Sequence, residues 1–358
     1  MAVLDKIFKA AVDSNASDIH VIPGEPFIIR KVGKLIKLKS PVLTPDNTKQ
    51  LISEILTEEQ RKILSQDLQL DFAIEVEGLG RFRGSAMQHN RGLSAVFRVI
   101  PPRIPALKEV GLPEIILRVL DNHQGLILVT GPTGHGKSTT LAAIVDYINT
   151  NRAGHVLTIE DPIEFVHPLK KGVVNQRQLG RDTLSYGNSL KGALREDPDV
   201  IVVGELRDLD TIALAISASE TGHLVIGTLA TSSAHKTVDK IIDSFPPGEQ
   251  NQIRAMLGEA LKAVITQRLI PGVDGSRMEL ACEILIGTLS MANLIRDNKT
   301  YQIPSLMQTG KNVGMRLLDD SILELLEAGK ITGAAALFNA NNKNLFKKYA
   351  TEPVPPAA

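Results

Sequence analysis

The sequence predicts an α/β protein: a parallel sheet covered by helices, preceded by a smaller α+β domain and followed by a helical segment. Three observations carry that expectation. From about residue 113 the chain alternates helical patterns with short runs that are apolar on both sides of the pleat, at 156–159, 200–203 and 224–229, as strands of a buried parallel sheet are. A further run at 125–130 (GLILVT) leads into a glycine-rich stretch and then into Leu141, Ala142, Ile144, Val145 and Ile148 at helical spacing. Ahead of these, Pro101, Pro102, Pro105 and Pro113 block regular pairing and stiffen the chain into a linker.

Residues 1–100 read as the α+β domain. Val3, Leu4, Ile7, Phe8 and Ala11 share one helical face, and Asp5 and Lys6 interrupt any signal-peptide core. Residues 27–32 suit a strand that turns at Gly33. Leu51, Ile52, Ile55 and Leu56 keep helical spacing, and Leu70, Phe72, Ile74 and Val76 alternate as a half-buried strand does. Two more strands are expected at 81–88 and 93–100. The linker spans 101–113 and the sheet domain 114–289. Within the latter, Ile253, Met256, Leu257, Ala260, Leu261, Val264 and Ile265 give the clearest helical periodicity in the chain. Beyond Gly287 the pattern is helical throughout, with Met291, Leu294 and Ile295, then Leu318, Ile322, Leu325 and Leu326 up to Gly329, which sets a C-terminal helical segment at 290–350. The proline-rich tail at 351–358 is expected to be disordered.

Composition narrows the function classes. Of 358 residues, 43% are apolar, enough for real cores. Forty basic and forty acidic residues cancel, so no global field draws the chain onto nucleic acid. A single cysteine, Cys282, excludes an intramolecular disulfide and a tetracysteine zinc site, reads as a small buried hydrophobe, and suits a reducing cytoplasm. No apolar run reaches membrane-spanning length, so membrane contact is expected only through a partner.

The chemistry is concentrated in four stretches. Gly131, Pro132, Thr133, Gly134, His135, Gly136, Lys137, Ser138 and Thr139 fit the phosphate-loop pattern G-x-x-x-x-G-K-[ST], between the strand and the helix that this pattern requires. Its backbone N–H groups can turn to phosphate oxygens, Lys137 supplies a point charge, and Ser138 can complete a Mg²⁺ shell beside the helix N-terminus. Residues 158–165 (TIEDPIEF) put Glu160, Asp161 and Glu164 at a strand end, where open parallel sheets bind ligands. Residues 199–205 (DVIVVGE) form an apolar strand ending in Glu205, as a Walker B strand does when it presents an acid to Mg²⁺ or its water; alone, Glu205 is equally an ordinary strand-end acid.

Two further groups have a plain reading beside the functional one. Gly222 and His223 suit a helix C-cap with a solvated imidazole next to it. Arg81 and Arg83 point to one face of their strand and Phe82 to the other, with Arg91 and Arg98 on or near the next strand. They read either as a solvated edge that discourages strand pairing, or as arginine fingers offered to the triphosphate of a neighbouring subunit.

In order, GPTGHGKST, TIEDPIEF, REDPDVIVVGELRD and ETGHLVIGTL resemble the secretion-ATPase superfamily and, within it, the type IV pilus retraction ATPases. The resemblance covers nearly the whole chain and extends to ASDIH at 16–20, RFRGSAMQHNRGLSAVFRVIPP at 81–102 and NLIR at 293–296. It implies a RecA-like ATPase domain behind a PAS-like N-terminal domain, assembled as a homohexamer in which each N-terminal domain packs on the next subunit. It also implies ATP and Mg²⁺ as ligands, with Lys137 on phosphates, Ser138 and Glu205 on the metal, and Glu164 on the lytic water. His223 falls in the family's histidine box, and Arg81, Arg83, Arg91 and Arg98 are the candidates to reach a neighbour's nucleotide. The implied setting is cytoplasmic, at the inner-membrane pilus base. The implied partner is an inner-membrane pilus platform protein, with a paralogous retraction ATPase as a second candidate; zero net charge and basic residues not clustered with aromatics give no nucleic-acid partner.

Two positions depart from the family pattern. Where it reads TLHT this chain has Thr228-Leu229-Ala230-Thr231, and where it reads AIRNLIRE the first arginine is replaced by Ala292. Both spare the phosphate loop and both acids, which leaves two expectations: a retraction motor with altered coupling, or a weakly active paralogue that modulates one.

Overall fold

The computed structural model describes residues 3–31, 33–275 and 277–350; Val32, at the end of one expected strand, and the tail 351–358 lie outside the described residues. The chain forms two compact units, Met1–Ile104 with Pro162–Val166, and Pro105–Asp161 with His167–Ala358.

In the first unit, α1 (Val3–Asp13), β1 (Asp18–Val21), β2 (Ile28–Lys31) and β3 (Lys34–Lys37) precede α2 (Pro45–Ile55), α3 (Glu58–Asp67), β4 (Gln69–Val76), β5 (Gly80–His89) and β6 (Gly92–Val99). The strands form one antiparallel sheet in the order β3-β2-β1-β6-β5-β4. Thr44 and Thr57 start α2 and α3 with reciprocal capping boxes, to Asn47 and Gln60, that satisfy otherwise orphaned N–H groups. Phe8 stacks on Phe82 at 4.4 Å between ring centroids and meets Phe97 edge-on, fixing α1 to one sheet face. Phe82 thus faces the core, while its neighbours Arg81 and Arg83 occupy the opposite face.

The second unit opens with α4 (Leu107–Val110) and α5 (Ile115–Leu120). Leu107 and Leu112 are buried in its core, so the stretch expected to be linker already packs with the sheet domain from residue 107 onward. Then come β7 (Gly125–Thr130), α6 (Lys137–Asn151), β8 (His155–Glu160), β9 (Val173–Gln178), α7 (Tyr186–Ala193), β10 (Val200–Val203), α8 (Leu209–Glu220) and β11 (Leu224–Leu229). They are followed by α9 (Ala234–Asp243), α10 (Gln250–Ala260), β12 (Leu261–Pro271) and β13 (Met278–Ile286). The sheet order is β13-β12-β7-β11-β10-β8-β9, parallel except for β13. Alternate residues of β7 feed two cores: Leu126 and Leu128 face one, Ile127 and Val129 the other, which is why the strand reads as continuously apolar.

One expectation is overturned. The helix expected to run through Ile265 stops at Ala260, and Leu261 begins β12. Residues 261–265 lie between β7 and β13 and are buried on both faces, apart from the half-buried Lys262, and a run of this kind fits a buried strand and a buried helix equally well on periodicity alone. The C-terminal segment is helical, with α11 (Leu289–Arg296), α12 (Ile303–Thr309), α13 (Leu318–Glu327), α14 (Gly333–Asn339) and α15 (Lys343–Phe346). Among the described residues, no helix is long and apolar enough to cross a membrane.

Candidate active site

The phosphate loop leaves β7 at the carboxyl edge of the parallel sheet and enters α6. Gly131 has φ +143°, and a Cβ on it would lie 2.5 Å from the Gln267 carbonyl oxygen, so only glycine lets the loop begin this close to β12. Thr133, Gly134 and Ser138 are exposed, while Pro132, His135, Gly136 and Thr139 are half-buried. The Lys137 ammonium folds back over the loop and donates to the carbonyls of Gly131 (2.8 Å) and Pro132 (3.1 Å). Burial pushes its pKa down, and the Glu205 carboxylate opposes that shift, so the loop cation and the strand-end acid act on each other electrostatically.

β12 supports this loop at three points. Before it, the hydroxyls of Thr130 and Thr266 are 2.8 Å apart; behind it, Gln267 Nε2 donates to Thr140 Oγ1 at 2.8 Å; at its tip, the Leu269 N–H donates to His135 Nδ1 at 2.9 Å. Burial first, and then the charges of Arg268 and Lys137, push the His135 pKa down, which favours the neutral ring that an acceptor Nδ1 requires. Sequence reasoning missed Thr266, Gln267 and Leu269 because the apparent helix ran across the start of β12. Their signal was available as β-branched residues in a run ending at Pro271.

Glu205 follows β10 at the same edge. Arg207 Nε donates to its Oε2 at 2.6 Å, and Arg207 Nη1 lies 3.7 Å from Asp161 Oδ2. Magnesium needs few protein ligands, because phosphate oxygens and waters fill most of its octahedral shell. The exposed Ser138 hydroxyl and the Glu205 carboxylate fit that demand, and among the described residues no cluster of three or more His, Cys, Asp or Glu builds a metal cage of its own.

Glu164 sits in the 162–166 loop, which belongs to the first unit. There Arg83 Nη1 lies 3.1 Å from Glu164 Oε1, and Arg81 donates to the carbonyls of Ile163 (3.0 Å) and Glu164 (3.2 Å) while pairing with Glu75 at 3.3 Å. Both arginines therefore engage their own chain, and the solvated-edge reading does not describe them. Arg98 is opposite Arg83 in the sheet register and pairs with Asp18 at 3.1 Å, whereas Arg91 is exposed in the turn between β5 and β6.

The structure does not bring His223 to the phosphate loop of its own chain. It precedes β11, whose six residues run parallel to β7, so it lies at the opposite edge of the sheet, about 20 Å away at ~3.3 Å per residue. Its Nδ1 lies 3.2 Å from the Ala218 carbonyl, beside Gly222 with φ +95°, as in the plain helix-end reading. The residue that leaves β11 at the nucleotide edge is Ala230.

Residues 1–307 match the family model described as Type II/IV secretion system protein. The chain is 48% identical over 329 residues to the type IV pilus retraction ATPase PilT of Pseudomonas aeruginosa, covering 92% of this chain and 95% of that protein. It is 35% identical over 340 residues to the type IV pilus ATPase PilU of the same organism, covering 95% and 89% respectively. The solved structure of the pilus retraction motor PilT with bound ADP matches with a TM-score of 0.85 at 43% identity, covering 97% of this chain and 99% of that one. The chain belongs to the type II/IV secretion system protein family and, within it, to the type IV pilus retraction ATPases.

Proposed function

We propose that this chain is the Mg²⁺-dependent ATPase of a homohexameric ring that drives type IV pilus retraction and so twitching motility. It would act in the cytoplasm at the inner-membrane pilus base, on a platform protein. The observation that carries the reading is that the phosphate loop and Glu205 leave β7 and β10 at the same carboxyl edge of one parallel sheet, with only β11 between those strands.

On ATP binding, Lys137 exchanges the carbonyls of Gly131 and Pro132 for oxygens of the β- and γ-phosphates, while the loop N–H groups and the α6 N-terminus hold the remaining charge. Ser138 and Glu205 would hold magnesium, which when bound would supply neutralisation of the charge that develops on the transferring phosphoryl group. Glu164 orients the attacking water and accepts its proton. Arg207 restrains the Glu205 carboxylate. Arg91, exposed in its turn, is the arginine best suited to reach a neighbouring subunit. His223 is limited to a role at the far edge of the sheet, where β11 begins.

Ala230 supports a second reading, an accessory ATPase that modulates a principal motor, because it removes an imidazole from the nucleotide edge. The higher identity to PilT than to PilU favours the motor. Steady-state ATPase assays on the purified protein, with Mg²⁺ and with chelator, separate the two. A motor turns over ATP on its own, stops without Mg²⁺ and stops in Glu164→Gln, and a strain lacking the gene fails to retract pili. Negligible turnover with ATP binding intact would support the accessory reading instead.

A further inference from the structure

The four strands β2, β1, β6 and β5 place Arg30, Asp18, Arg98 and Arg83 in one row, since Asp18 is opposite both Arg30 and Arg98, and Arg98 is opposite Arg83. Directly opposed residues of antiparallel strands share a face, and like charges there repel. Asp18 relieves Arg98 and lies 4.0 Å from Arg30, which leaves Arg83 as the end of the row with a cation beside it. Its neutralising partner comes from a distant stretch of sequence: the Glu164 carboxylate, 3.1 Å away and mostly buried. Two residues earlier on the strand, Arg81 takes the carbonyls of Ile163 and Glu164. One arginine thus fixes the backbone that carries Glu164 and the other fixes its carboxylate, with Ile163 and Phe165 buried on either side.

We propose that Arg83 and Arg81 are positioning residues that act in cis, holding the general base Glu164 in the orientation from which it receives the proton of water. The inference rests on the reading of Glu164 as that base. A carboxylate with free rotation about its side-chain torsions spends most of its time misaligned, and small misplacements of a reacting group are costly in rate. A guanidinium on one oxygen restricts that rotation while leaving the second oxygen for water. The role differs from that of an arginine finger, which touches phosphate and serves a neighbour's site.

The test compares Arg83→Gln, Arg83→Lys, Arg81→Lys and Glu164→Gln in the full-length protein, reading kcat, KM and direct binding of a fluorescent ATP analogue. Positioning predicts a fall of about ten- to a hundredfold in kcat for Arg83→Gln with analogue affinity unchanged, and partial recovery in Arg83→Lys, which keeps one charge-assisted bond. In mixed assemblies, Arg83→Gln subunits combined with Lys137→Ala subunits should show no activity above the two parents, because each active site lacks a part belonging to its own chain. Parental kcat in Arg83→Gln, weakened analogue binding, or recovery on mixing would each overturn the proposal. Glu164→Gln turning over ATP normally would instead remove the reading on which it rests. If Arg83→Gln lowers the melting temperature, Arg81→Lys and Arg83→Lys carry the same kcat-against-affinity comparison.

Discussion

The Thr228 hydroxyl donates to the Gly204 carbonyl at 2.5 Å, and the Thr228 carbonyl accepts from the Leu206 N–H at 2.9 Å. The turn that carries Glu205 is therefore clamped on both sides to the last residues of β11, two positions before Ala230. Whatever happens at residue 230 has a short route to Glu205.

Ala230→His should consequently change the cooperativity of ATP hydrolysis or its turnover, without changing assembly. Steady-state ATPase profiles alongside size-exclusion chromatography check this. An unchanged profile, with the new imidazole shown to be ordered, would leave Ala230 as a neutral variation.

Lys137→Ala should lower kcat by about a hundredfold or more, since a fixed cation aimed at developing phosphate charge is worth that much. The variant should stay folded, because Lys137 bonds only to its own loop in the free protein. Turnover near the parent value would remove the phosphate loop from the site.

Gln267→Leu tests the support from β12. It deletes the bond to Thr140, but it also removes the buried Oε1 that has no partner, so stability should change by no more than about 1 kcal/mol. The phosphate loop nonetheless loses a positional constraint, and kcat/KM for ATP should fall about tenfold. Thermal melts and initial rates together decide it: a large stability loss with normal kcat/KM would assign Gln267 to the core alone.

Acid should destabilise the fold through its histidines. Burial, the largest cause, lowers the pKa of His167 to about 4, and it lowers those of His20, His135 and His235 in the same direction. Between pH 6.5 and about 4 the unfolded chain binds more protons than the native one, so the contribution is complete above 6.5 and is lost as pH falls through that window. Melting temperatures should drop from pH 7 to pH 5, and His167→Gln should flatten the dependence. Equal slopes in parent and variant would place the acid sensitivity elsewhere.

The phosphate loop, Glu205 and the strands at 125–130, 200–203 and 224–229 were legible because both chemistry and burial leave local marks: fixed glycine spacing in the first case and uninterrupted apolar runs in the second. Three things were hidden. The start of β12 imitated a helix, because a strand buried on both faces carries no alternation. β9, with the sequence VVNQRQ, pairs only with β8 at the sheet edge and has too little apolar content to announce itself. The pairing of Arg83 with Glu164 spans 81 positions, and no local pattern encodes it. The resemblance implied roles for Arg81 and Arg83, but it did not reveal that Arg83 pairs with Glu164 of its own chain.

The first unit is written in two separate stretches of sequence, and this bears on how it can be made and dissected. A polypeptide ending at Ile104 contains all six strands of its sheet but omits Pro162–Val166. In such a fragment Arg83 would lose its carboxylate next to Arg98 and Arg81 would keep only Glu75, inviting nucleotides, polyphosphates or acidic proteins to fill the gap. Ligand binding measured on that excised piece would report an artefact of truncation. During synthesis, likewise, the growing chain cannot complete this unit until residue 166 has left the ribosome, well after the phosphate loop has emerged.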